Sequence, residues 1–188
     1  GEEIKGFTSY ENQSVTQYGT FSATIRLTLE NPLSIDGSDD GDYTVTVKIS
    51  DNSENSTKPI SITFKYDTIA PSVSAISLSP HKSILNVLPE ISVVLGDNGS
   101  GIYQATSVIY LLSPDGNRIP AEKSFKQEKE IITIILKPDQ RFAGDGLYTI
   151  VCDSRDNAGN AGEKASATFQ LDNKPPSVIS MIPERGSS

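Results

Sequence analysis

A chain of 188 residues can form one large domain or two small ones, each burying a modest core. With 36% hydrophobic and 21% charged residues it is polar, without the composition of a disordered chain. A net charge of −8 argues against an electrostatic nucleic-acid surface, which needs a positive footprint, and is compatible with cation binding.

Taken in chain order, the predicted elements are all strands. "FSATIRLTLE" (21–30) and "YTVTVKIS" (43–50) alternate, which puts Tyr43, Val45, Val47 and Ile49 on one face. "SVSAISLSP" (72–80), "EISVVLG" (90–96), "ATSVIYLL" (105–112) and "EIITIIL" (130–136) are short runs rich in β-branched residues. "GLYTIVCDS" (146–154) and "KASATFQLD" (164–172) complete the series. "SPDGN" (113–117) carries the Asp-Gly step of a hairpin connection. No segment has a helical period. Six or seven strands over ~100 residues is the pattern of a β-sandwich.

No apolar run approaches the roughly 18 residues of a membrane span, and no leader peptide is visible. The chain reads as a piece of something longer. Cys152 is the only cysteine, so neither an intrachain disulfide nor a thiolate metal cluster can form. It is expected as a small buried hydrophobe on its strand.

The chain repeats itself. Residues 41–73 align with 146–178 at a constant offset of 105, without a gap and with 13 of 33 positions identical. The copies close on "FKYDTIAPSV" (64–73) and "FQLDNKPPSV" (169–178), where proline ends one sheet and opens the next segment. The expected organisation is a partial, atypical domain over 1–67, a complete sandwich over 68–172, and a linker with the first strand of a further copy over 173–188. The first copy lacks the segment matching 71–101. Its open edges are expected either to be rebuilt from residues 1–20 or to borrow a strand from another chain, with 173–188 as donor.

Asp-Gly-x-Tyr occurs at 40–43 and again at 145–148. In immunoglobulin-type sandwiches a tyrosine near the start of the penultimate strand ties its corner to the backbone. The antibody disulfide and its tryptophan are missing here. Through "LGDNGSGI" (95–102), "GLYTIVCDSRDNAGN" (146–160) and "FQLDNKPPSV" the chain resembles the bacterial Ig-like (Big-type) repeats of surface and secreted proteins. The match runs from about residue 20 onward and departs at 53–56, where "SENS" replaces "AGNA". The resemblance implies an all-β fold of tandem immunoglobulin-like β-sandwich domains, antiparallel and Greek-key. It also implies an extracellular or cell-surface location, a spacer or adhesion role, and no chemistry.

An inventory of the residues points the same way. His81 is the only histidine, and no nucleophile-elbow motif is present. "GDNGSG" opens no helix that could hold phosphate. A module that binds carbohydrate for a secreted enzyme is the alternative function, but it would need an exposed aromatic row, and Trp is absent.

In such a sandwich the loop after the second strand and the loop before the last strand both lie at the linker end. Asp67 of the linker, Asp97 and Asn98 of the first loop, and Asp156, Asn157 and Asn160 of the second are therefore expected to meet at one junction. Their oxygens suit Ca2+, which takes six to eight ligands. The competing expectation is a pair of turns whose Asp and Asn side chains bond their own backbone. Asp51, Asn52 and Asn55 are the equivalent group in the first copy, and Asp172 belongs to a next junction.

Overall fold

The computed structural model describes residues 3–15, 17 and 21–180. Its strands are β1 (Gly6–Val15), β2 (Phe21–Leu29), β3 (Gly41–Val47), β4 (Ile60–Tyr66), β5 (Ser72–Ser79), β6 (Ile84–Leu85) and β7 (Glu90–Gly96). They continue with β8 (Val108–Leu112), β9 (Arg118–Ile119), β10 (Ala121–Glu128), β11 (Ile131–Pro138), β12 (Gly146–Asp153) and β13 (Ala165–Leu171). A 3-10 turn covers Gln140–Phe142. The chain forms two compact units, Gly1–Asp39 and Asp40–Ser188.

The first unit is an antiparallel hairpin of β1 and β2, irregular between Glu11 and Ser14, where Asn12 takes a φ of 49°. Alternation along β2 puts Phe21, Ile25 and Leu27 on one face, and cross-strand pairing adds Val15 opposite Phe21 and Tyr10 opposite Ile25. Those five side chains are exposed.

The second unit holds a complete sandwich. One sheet has the order β10-β11-β7-β5 and the other β6-β13-β12-β8-β9. Every pair is antiparallel except β6 with β13, which run parallel. The chain changes sheets between β5 and β6, and this crossing gives the immunoglobulin-like layout. Strict alternation builds the core: Ile91, Val93 and Leu95 of β7 and Ile132, Ile134 and Leu136 of β11 point inward. They meet Ile109 and Leu111 of β8, Tyr148, Ile150 and Cys152 of β12, and Phe169 and Leu171 of β13. Cys152 is fully buried, and burial pushes its thiol up to about 11, as expected of a packing residue.

The remaining pair of this unit, β3 and β4, reproduces β12 and β13. Gly41 pairs with Tyr66, Tyr43 with Phe64 and Val47 with Ile60. Adding 105 to each number gives Gly146 with Leu171, Tyr148 with Phe169 and Cys152 with Ala165. The rings match as well: Tyr43 stacks on Phe64 at 5.6 Å and Tyr148 on Phe169 at 5.3 Å.

Tyr148 makes the corner its motif implies. Its hydroxyl accepts from the Gly144 N–H at 2.9 Å and sits 3.0 and 3.2 Å from the Gly144 and Phe142 carbonyls, to which its one proton can go. Tyr148→Phe keeps the ring and removes the hydroxyl that ties the Gly144 and Phe142 backbone, so it should cost about 0.5–1.5 kcal/mol. Urea unfolding reads the loss, and an unchanged midpoint would remove the hydroxyl from the stability of the corner.

Candidate metal centre at the junction between the copies

Strand pairing builds the site. Ser72, the first residue of β5, pairs with Gly96, the last of β7, so the linker lies against the loop 97–101. Ile102 bridges Asp156, and the Asn157 N–H donates to the Gly101 carbonyl at 2.9 Å, which sets the two loops side by side. Asp67, Asp97 and Asp156 come together with an oxygen of each within 4.8 Å of the others. They are 6%, 5% and 1% exposed, burial that carboxylates rarely reach without compensation.

Each is partly satisfied by backbone. Asp67 accepts from the Ile69 N–H through Oδ1 at 3.1 Å and from the Ser100 N–H through Oδ2 at 2.5 Å. Asp97 Oδ1 accepts from the N–H groups of Gly99 and Gly101 at 2.9 and 2.7 Å. Asp156 Oδ1 accepts from the N–H groups of Gly159 and Asn160 at 2.7 and 2.8 Å. The approach is tight enough that a Cβ at Gly99 would fall on the Asp67 carboxylate, which explains glycine there.

The electrostatics divide the group. Burial pushes Asp97 above its ordinary range, and the nearby charges of Asp67 and Asp156 add to that, against the opposing pull of the Gly101 and Gly99 amides. Burial acts on Asp67 in the same direction, but the hydrogen bonds from Ser100 and Ile69 and the charge of Lys65 outweigh it, leaving Asp67 below its ordinary range.

The asparagines act as braces. The Asn160 side chain donates to the Asp67 carbonyl at 2.9 Å and to Asp156 Oδ2 at 2.7 Å. That of Asn157 donates to the carbonyls of Ser100 and Gly101 at 2.9 and 3.0 Å. Asn98, between the buried Asp97 and the half-buried Gly99, is exposed. In the first copy the same loop forms without a linker carboxylate. Asp51 accepts from Ser53 and Asn55 N–H, both at 2.9 Å, and from the Asn55 side chain at 2.9 Å. The Asp-x-x-x-Asn turn is therefore locally determined.

Two residues that hold the linkers, one after each copy, were not picked out as site residues by sequence reasoning. Asp40 accepts from the Thr68 N–H at 3.0 Å and its hydroxyl at 2.9 Å, and Asp145 accepts from the Asn173 N–H at 2.8 Å. The available signal was an aspartate before each Gly-x-Tyr, 28 residues ahead of the linker residue it holds.

Among the described residues, two surface hollows lie away from the carboxylates. One is lined by Pro80, Ile84, Leu85 and Asp172, the other by Pro120, Ala121, Lys137 and Asp139. His81 is exposed. No helix among the described residues is long and apolar enough to cross a membrane.

No family model and no curated protein matches the chain. Among solved structures it is similar to the Lin-41 filamin domain, at 20% identity and a TM-score of 0.36, over 55% of this chain and 93% of that one. At that score the likeness carries no weight beyond itself, and the β-sandwich rests on the strand order described above.

Proposed function

We propose that the chain is a non-catalytic β-sandwich repeat of a bacterial surface or secreted protein, serving as a spacer or adhesive stalk whose junction is stiffened by calcium. The carrying observation is the meeting of Asp67, Asp97 and Asp156, one from the linker and two from loops of the following copy. Three buried like charges at that separation repel one another, and a divalent cation between them turns repulsion into a clasp. A hard cation that accepts carboxylate, carbonyl and water oxygens in flexible geometry is calcium. The three aspartates would hold it, with Asn157 and Asn160 bracing the loops. Tyr103, Phe125 and Phe142, the exposed aromatics of the complete sandwich, sit on separate elements, which favours the spacer over a sugar platform.

Thermal unfolding in excess calcium and again in chelator tests the reading. Binding to the folded state alone should stabilise by about 2.7 kcal/mol at a hundred times Kd. For a chain of this size that is a rise of roughly 5–10 °C. Superimposable melts would leave the junction to its hydrogen bonds and sink the calcium clasp.

A further inference from the structure

We infer that residues 172–174 form a second junction socket, shaped in advance to take a further copy of the same repeat through the backbone amides of its Asp-Asn-Gly-Ser loop. This rests on the tandem-repeat reading above, and it does not require the cation.

The socket is seen by comparison with the junction that is already filled. There the Asp67 carboxylate is held by the amide two residues on, and the residue between is clamped by Asp40. At the offset of 105, Asp172 Oδ1 accepts from the Lys174 N–H at 3.0 Å, and Asn173 is clamped by Asp145. Asp145 is further tied to the Lys174 ammonium at 3.0 Å. The Asn173 hydrogen bond, more than this ion pair, holds its carboxyl below the ordinary range.

The two turns differ in their remaining partners. Asp67 gives its second oxygen to the Ser100 N–H and its carbonyl to the Asn160 side chain, both from the next copy, and is buried. Asp172 is exposed. The occupant is thereby specified. It must offer a backbone N–H to a carboxylate, an asparagine side chain to a carbonyl, and a glycine where the carboxylate approaches most closely. A loop like 97–100 with an Asp-x-x-x-Asn turn meets all three conditions.

Of the opposite half, the Asp-x-x-x-Asn turn is preformed, since the Asp51–Asn55 turn keeps its shape with no linker against it, and the 97–101 loop is closed by its own Asp97 carboxylate on the Gly99 and Gly101 amides. Two halves ordered before they meet lose little conformational freedom on docking. The contact is head-to-tail, so it propagates along an array.

Amide hydrogen exchange by NMR tests the socket. In the chain itself the Asn173 and Lys174 amides should exchange roughly tenfold or more below the unstructured rate. Asp145→Ala and Asp172→Ala should each release one of them. In a chain taken through residue 180 and continued with a second copy of residues 76–172, the appended copy's Ser100 amide should match the protection of the native one. Asp172→Ala should then remove the protection in the appended copy only. Free-peptide exchange at 173–174, or an appended loop indifferent to Asp172→Ala, would overturn the proposal. Repeating the measurement in chelator separates the two ideas: unchanged protection keeps the socket whether or not calcium binds at Asp97. An unprotected native Ser100 would remove the junction reading itself.

Discussion

Phe169→Ala should destabilise the complete sandwich by about 3–5 kcal/mol, while Phe64→Ala, at the equivalent position of the first copy, should cost about 1 kcal/mol or less. The two phenylalanines share a register, a tyrosine partner and a stacked geometry. They differ in what covers them: Phe169 is 1% exposed and Phe64 45%. Truncating Phe169 removes transfer energy and leaves a cavity beside Tyr148 in a core that strands from both sheets hold in place. Truncating Phe64 removes a ring that water already reaches. Urea titration followed by NMR, residue by residue, separates the hairpin from the sandwich. Equal losses at the two sites would mean that the β3–β4 face is covered in solution, the outcome that strand exchange between chains would produce.

The second large effect is at Asp97. Its folded-state carboxyl holds a proton to higher pH than the unfolded chain does, because burial and two neighbouring carboxylates oppose its charge. In the window opening above 3.8 the folded state binds more protons, so stability falls as pH rises through it. Asp67 acts oppositely. Its carboxyl lies below 3.8, so its contribution is complete above that value and is lost as pH falls through the folded pKa. Asp97→Asn should therefore raise the melting temperature at pH 7 in chelator and remove the decline above 3.8. Asparagine Oδ1 can still accept from Gly99 and Gly101, so the loop keeps its shape. Calcium should stabilise the parent chain by about 2.7 kcal/mol at a hundred times Kd and the variant far less. A variant that melts below the parent in chelator would show that the carboxylate is held as a net favourable anion, against both the pH and the cation arguments.

How much could be read beforehand differs by element. β7, β8, β11 and β12 carry β-branched alternation, and a one-face period is a local property of the chain. β10, with the sequence AEKSFKQE, escapes such a reading because it is a sheet edge whose charged residues face water on both sides. β1 escapes because its sequence mixes polar and apolar residues on both faces and it pairs with β2 alone, and β6 and β9 are too short for any period.

The meeting of Asp67, Asp97 and Asp156 was legible because the order of strands in a sandwich dictates which loops share an end. Asn98 shows the limit of that reasoning, since placing a loop does not say that this side chain is exposed. Asp40 and Asp145 show it again, because their partners lie 28 residues away and are brought near by pairing register alone.

The sequence by itself determined the strand faces, the repeat at 105 residues and the self-closing Asp-x-x-x-Asn turns, all set by interactions between near neighbours along the chain. Tertiary structure alone decided that Tyr148 is buried while Tyr43, in the same pattern, is only partly covered. It also decided how deeply the three meeting aspartates are buried, and that Asp97 is pushed above its ordinary range while Asp67 is held below it. Burial and charge coupling depend on which other segment lies across the gap, and no local pattern encodes that.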